Sequence, residues 1–166
     1  MVQLSCMKYV FIAIVFSFCI LGSGCASNSN TASQTRITNV SVTKLDLSNQ
    51  GLTQVSQDVF KQTGLTELDL SGNRLTGAIP AEIRFLVNLE KLDLSDNAMT
   101  GLPAEIGQLS KLKTLDLSNN QLTGLPLELG QLSTLETLDL RGNNYSVYDL
   151  EIIKNNLSKQ VNIKVD

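Results

Sequence analysis

From Val42 to Tyr145 apolar residues return in a fixed rhythm, and polar residues hold fixed places between them. The segments VTKLDLSNQGL (42–52), LTELDLSGNRL (65–75), LEKLDLSDNAM (89–99), LKTLDLSNNQL (112–122) and LETLDLRGNNY (135–145) align without gaps. Their fourth position falls at Leu45, Leu68, Leu92, Leu115 and Leu138, in steps of 23, 24, 23 and 23 residues. Inside each segment the pattern alternates. Leu68 and Leu70 share one face, and Glu67 and Asp69 share the other, which is the period-two signature of a short strand with one side buried.

A second limb follows each strand. Ile79-Pro80, Ile83 and Leu86 are matched by Leu102-Pro103, Ile106 and Leu109, and again by Leu125-Pro126, Leu129 and Leu132. Spacings of three and four predict a short helix or 3-10 turn. Proline suits the start of such a turn, where a missing N–H costs nothing. The segment Thr76-Gly77-Ala78-Ile79-Pro80 carries the extra residue of the 24-residue step. One such unit buries too little apolar surface to offset the entropy of ordering its backbone, so the units must stack.

The repeated L-x-x-L-x-L-x-x-N-x-L pattern resembles the leucine-rich repeat signature. The resemblance implies an α/β solenoid: an arc of about five 23–24-residue repeats over residues 42–145. A parallel sheet lines its concave face, and short helices or 3-10 turns line the convex face. Asn73, Asn97, Asn120 and Asn143 take the places that stack into an asparagine ladder in this family. Asn suits a buried turn because its amide both donates and accepts. Gln50 replaces Asn in the first copy, as expected of a terminal repeat. The Thr76–Pro80 limb resembles the LTGxIP limb of plant-type repeats, and the others resemble the shorter LTxLP kind.

Caps are expected at both ends. Arg36–Val42 is read as the N-terminal edge. Residues 146–166 are read as a C-terminal helix–strand cap that completes the array. Within it, Val147, Leu150, Ile153 and Leu157 have helical spacing, and Val161–Val165 alternates as a last strand.

Ahead of the repeats the pattern changes. Tyr9–Leu21 is uncharged and almost wholly apolar, with Lys8 before it and Gly22, Ser23 and Gly24 after it. A membrane span needs ~20 apolar residues, so residues 1–24 are read as a secretory signal peptide. Leu21-Gly22-Ser23-Gly24-Cys25 resembles the lipobox of bacterial lipoproteins, with Gly22 departing from the family's usual Leu three before the cysteine. That resemblance implies cleavage before Cys25 and acylation of its thiol and new N-terminus. Cys6 and Cys19 would leave with the signal, so Cys25 would be the lone thiol. An uncleaved signal anchor and an ordinary secreted chain with Cys25 left free are the competing readings. Residues 25–35 then form the lipidated cysteine and a Ser/Thr/Asn-rich tether with an r.m.s. reach of ~16–19 Å. Residues 36–166 form the repeat domain. The expected location is the bacterial cell envelope, at the outer membrane where the organism has one, since Ala26 is not the Asp that retains such lipoproteins at the inner membrane. Translation starts at Met1 or at Met7, and Met7-Lys8 alone supplies a compact signal.

Composition narrows the chemistry. The 166-residue chain contains no His and no Trp and has a formal net charge of −3. Lacking His, it has no Ser-His-Asp or Cys-His pair and no HExxH zinc site. There is no Gly-rich phosphate loop and no metal-ligand spacing, so neither an enzyme nor a cofactor is implied. Thirteen Lys and Arg against a net negative charge exclude an electrostatic nucleic-acid binder. The sequons at Asn39, Asn144 and Asn156 have no ordinary use in a bacterial lipoprotein.

The outward strand positions form two concave columns. One is Asp46, Asp69, Asp93, Asp116 and Asp139; the other is Lys44, Glu67, Lys91, Thr114 and Thr137. Strands ~4.8 Å apart make the aspartates a row, whose like charges repel by only ~1 kcal/mol per pair in water. The row is read either as an acidic strip for a basic partner or loosely held cations, or as a common form of the repeat with no ligand. Five strands span ~24 Å, giving a face of a few hundred Å² against the ~800 Å² each partner contributes to a standard interface. Tyr145 and Tyr148 offer aromatic anchors or pack into the cap, and packing is the preferred reading. The function expected is a monomeric, non-catalytic protein-binding module held at the membrane by its N-terminal lipid, with an unidentified protein partner. The alternative is a structural spacer without a concave-face ligand.

Overall fold

The computed structural model describes residues 43–158 and 160–166. Five repeat strands follow the LxL segments: β1 (Lys44–Asp46), β2 (Glu67–Asp69), β4 (Lys91–Asp93), β6 (Thr114–Asp116) and β7 (Thr137–Asp139). They pair in parallel, Leu45 with Leu68, Leu68 with Leu92, Leu92 with Leu115, and Leu115 with Leu138. The sixth strand, β8 (Asn162–Lys164), joins β7 in the same sense and sets Ile163 beside Leu138. The sheet order is β1-β2-β4-β6-β7-β8.

Each step returns over the other side through a short turn. The first is α1 (Gln57–Phe60), capped by Ser56, whose hydroxyl accepts from the Asp58 N–H. The next three are 3-10 turns at Ala81–Phe85, Ala104–Gln108 and Leu127–Gln131, each preceded by its proline. The last is α2 (Val147–Asn156), where the Ser146 hydroxyl accepts from the Asp149 N–H. Leucines from both limbs meet between sheet and turns. Leu65, Leu70, Ile83, Leu86, Leu92, Ile106, Leu115, Leu129, Leu138 and Ile153 are all fully excluded from solvent. This shared core is why the repeats stand only as a stack.

Close packing of the turns depends on one glycine position. A Cβ on Gly107 would collide with the Glu128 backbone, and one on Gly130 would press on the Asn156 side chain. The wider Arg84 occupies this position in the earlier turn.

The asparagine ladder runs along the turn after each strand. Asn73 accepts from the N–H groups of Gln50 and Leu52 and donates to the carbonyls of Leu47, Leu70 and Ser71. Asn97, Asn120 and Asn143 repeat the arrangement, each donating to three carbonyls and accepting from the preceding repeat at Leu75, Met99 and Leu122. The residue before each ladder position adopts positive φ: Asn49, Gly72, Asp96, Asn119 and Gly142. Gly, Asn and Asp are the residues that tolerate this conformation.

Four features depart from the sequence reading. Val147 does not join the apolar face of α2; it is 70% exposed at the first turn, while Leu150, Ile153 and Leu157 are buried. A second, two-stranded sheet on the flank pairs β3 (Thr76–Gly77) with β5 (Ala98–Met99), and the repeat pattern does not announce it. Asp139, expected on the exposed face, is buried, and Tyr148, expected to pack into the cap, is 74% exposed. The signal peptide (1–24), Cys25, the tether (25–35) and the Arg36–Val42 edge lie outside the described residues.

Candidate binding surface

The main sheet carries the two columns on its open side. Asp46 is exposed, Asp69, Asp93 and Asp116 are half-buried, and each except Asp139 precedes a serine by two residues. That serine decides how the carboxylate is held. Ser71 donates to Asp69 Oδ1 through its N–H at 2.9 Å and its hydroxyl at 2.6 Å. Ser95 does the same to Asp93 at 3.1 and 2.6 Å, and Ser118 to Asp116 at 3.0 and 2.6 Å. At Asp46 the Ser48 N–H donates at 2.9 Å, and it holds that carboxyl below the usual range. The row is thus pinned through one oxygen per carboxylate. The second oxygen of Asp69, Asp93 and Asp116 accepts no hydrogen bond among the described residues.

Asp139 breaks the row. The sequence reading placed it among the exposed aspartates, yet it is only 1% exposed. Arg141 stands where the other repeats have serine. Its Nε and Nη2 donate to Asp139 Oδ1 and Oδ2 at 2.9 and 2.7 Å. Lys164 Nζ, from β8, lies 3.2 Å from Oδ2. Arg141 hydrogen bonding outweighs the desolvation of Asp139 and, with Lys164, holds its pKa down to about 2. Both carboxylate oxygens are therefore taken, and Asp139 clamps Arg141 and Lys164 together. The Ser-to-Arg change at 141 was legible in the chain; the Lys164 contact depends on where β8 docks.

The neighbouring column is mixed. Lys44 Nζ pairs with Glu67 Oε1 at 2.6 Å, Lys91 is exposed, and Thr114 and Thr137 are half-buried. Beside it, Lys113 bridges to Glu90 at 2.7 Å, which lowers the Glu90 pKa and raises that of Lys113. Lys44, Asp46, Glu67, Asp69 and Lys91 surround one open depression of about 240 Å³ over β1, β2 and β4. Unclamped negative charge therefore lies along Asp46, Asp69, Asp93 and Asp116, and the Asp139 end is neutralised. Tyr145 packs against the core and burial raises its pKa, whereas Tyr148 is 74% exposed. Among the described residues there is no group of three His, Cys, Asp or Glu side chains placed to hold a metal ion. No described helix is long and apolar enough to cross a membrane.

The leucine rich repeat pattern matches residues 40–99 and 87–144. This chain belongs to the leucine-rich repeat family. Among solved structures, it is similar to a leucine-rich repeat protein of Leptospira interrogans, with 43% identity and a TM-score of 0.68 over 72% of this chain. The match spans 30% of the Leptospira chain, so this chain corresponds to a part of that protein. It is also similar to a structure of the Arabidopsis thaliana BIR3–SERK2 complex, with 32% identity, a TM-score of 0.59, and coverage of 74% of this chain and 66% of that one. The BIR2 ectodomain from the same plant matches at 35% identity and a TM-score of 0.57, over 61% of this chain and 55% of that one. The leucine-rich repeat fold is typical of protein–protein interaction modules, and no enzyme family is indicated.

Proposed function

We propose that this chain is a membrane-anchored, non-catalytic protein-binding module of a bacterial cell envelope, and that its concave face receives a basic segment of another protein. The carrying observation is the row Asp46, Asp69, Asp93 and Asp116. Intra-repeat serine contacts orient the last three carboxylates, and their outer oxygens take no hydrogen bond among the described residues. Serine contacts fix the side chains before a partner arrives, which lowers the entropy lost on binding. The small face favours modest affinity per molecule, and attachment to a membrane raises the effective local concentration. The complex named in the BIR3–SERK2 structure is consistent with a repeat array of this kind meeting another protein. Export and lipidation rest on residues 1–24 and on the lone mature thiol at Cys25. Likeness to a Leptospira protein supports a bacterial setting.

Crosslinked capture from intact native envelopes tests the binding reading. The variant converts Asp69, Asp93 and Asp116 to Asn, which keeps an oxygen to accept from each serine and removes the charge. A protein recovered with the native chain and lost with the variant supports the reading. The same background with both overturns it and leaves the spacer. Palmitate incorporation that persists in a Cys25→Ser variant overturns the anchor.

A further inference from the structure

On the concave face, the column beside the aspartates reads Lys44, Glu67 and Lys91, followed by the neutral Thr114 and Thr137. Strand register sets Glu67 between the two lysines, one rung from each. Glu67 pairs with Lys44, Nζ to Oε1 at 2.6 Å. Lys91 is exposed, and its ammonium has no carboxylate within ion-pair distance among the described residues. Lys44 and Glu67 cancel, so the net charge of this column is the charge of Lys91.

The depression of about 240 Å³ over β1, β2 and β4 gathers this cation and the first aspartates into one site. Lys91 belongs to one column, and Asp46 and Asp69 to the other. Along each strand the two columns are two residues apart, ~6.6–6.8 Å. Ser71 holds Asp69 through Oδ1, and Oδ2 accepts nothing among the described residues. Lys91 leaves both Asp69 and Asp93 unpaired. The depression therefore has two poles, a free ammonium and free carboxylate oxygens.

We propose that Lys91 is a specificity-determining residue of this face: it selects a basic segment that brings one acidic side chain opposite Lys91, two residues from a base that meets the aspartates. The inference rests on the reading of the concave face as a partner surface, and it names the chemistry of the partner. An extended segment spaces alternate side chains by the same ~6.6–6.8 Å, so an acid and a base two residues apart meet both poles at once. A segment with bases at both places still reaches the aspartates but sets a like charge against Lys91. That repulsion works against the wrong partner. One unpaired cation in a column of five rungs also fixes the register, because one placement of the acid satisfies it.

The test uses the full chain, isotopically labelled for amide NMR, and two blocked heptapeptides. Both have lysine at alternate positions, and in one of them glutamate replaces the first lysine. Despite its lower positive charge, the glutamate peptide should bind the native chain at least threefold more tightly, with saturable shifts over β2 and β4. Lys91→Thr installs the residue that Thr114 and Thr137 supply on the next two rungs, so the fold is preserved. That variant should reverse the order and prefer the all-lysine peptide. The Asp69, Asp93, Asp116 to Asn variant should weaken both. Tighter binding of the all-lysine peptide by the native chain overturns the inference and leaves the concave-face reading standing. An unchanged order in Lys91→Thr does the same. Concave-face shifts with neither peptide overturn both the inference and the reading beneath it.

Discussion

Arg141 meets Asp139 edge to edge, Nε on Oδ1 at 2.9 Å and Nη2 on Oδ2 at 2.7 Å, two residues apart on the last repeat. Paired donors in this fork geometry hold a carboxylate more firmly than one contact does. Lys164 reaches the same carboxylate from β8, so the clamp ties that strand to the repeat before it.

Acid should release that clamp. The Asp139 pKa falls from the usual 3.8 to about 2 in the folded chain. A lowered folded pKa gives stability that is complete above the unfolded value and disappears as pH falls through the folded one. The window therefore runs from about pH 4 down to about pH 2, and the loss is about 2 kcal/mol. Urea unfolding at stepped pH checks this. An Asp139→Asn variant should be less stable near neutrality and should lose the part of the acid slope that belongs to this group.

Ladder positions should be far more sensitive than their first-repeat counterpart. Asn120 is buried and satisfies Met99, Leu94, Leu117 and Ser118. Asn120→Ala strands several buried backbone groups, each at ~1–3 kcal/mol, and should cost about 3 kcal/mol or more in all. Gln50 is exposed, and Gln50→Ala should stay within ~0.5 kcal/mol. Chemical denaturation of the two variants side by side decides it, and equal losses would contradict the ladder's role.

Two glycines of the same repeat should part company. Gly107→Ala drives a methyl group into the Glu128 backbone and should cost ~1–3 kcal/mol, the usual range for overpacking. Gly101 has open space where its Cβ would lie, so Gly101→Ala should be near neutral or slightly stabilising. A thermal melt of each variant measures the difference.

The two tyrosines should also separate. Tyr145→Ala removes a ring packed on the core and should lower stability by ~2–4 kcal/mol. Tyr148, 74% exposed, should tolerate Ser with a change of ~0.5 kcal/mol or less. A large loss at Tyr148 would show that its ring packs in solution.

Much of this architecture could be read from the chain, for identifiable reasons. Leu68, Leu92, Leu115 and Leu138 recur at a spacing that only a stacked coil satisfies, so strand register followed from counting. Helical spacing located α2 but misplaced Val147, because residues in a first helical turn take their environment from the incoming chain rather than from periodicity. Asp139 shows a different limit. Its side chain repeats the motif, yet its burial comes from Arg141 and from β8, a strand set by the cap's docking.

The strict register also makes the domain a ruler. Leu92 lies beside Leu115, and Leu115 beside Leu138, through interchangeable rungs. Adding or excising one whole 23-residue unit in this stretch would leave each junction chemically familiar and change the reach of the array by ~4.8 Å. Length can therefore drift by duplication or deletion of coding units while the Arg141 and Lys164 contacts to Asp139 stay intact.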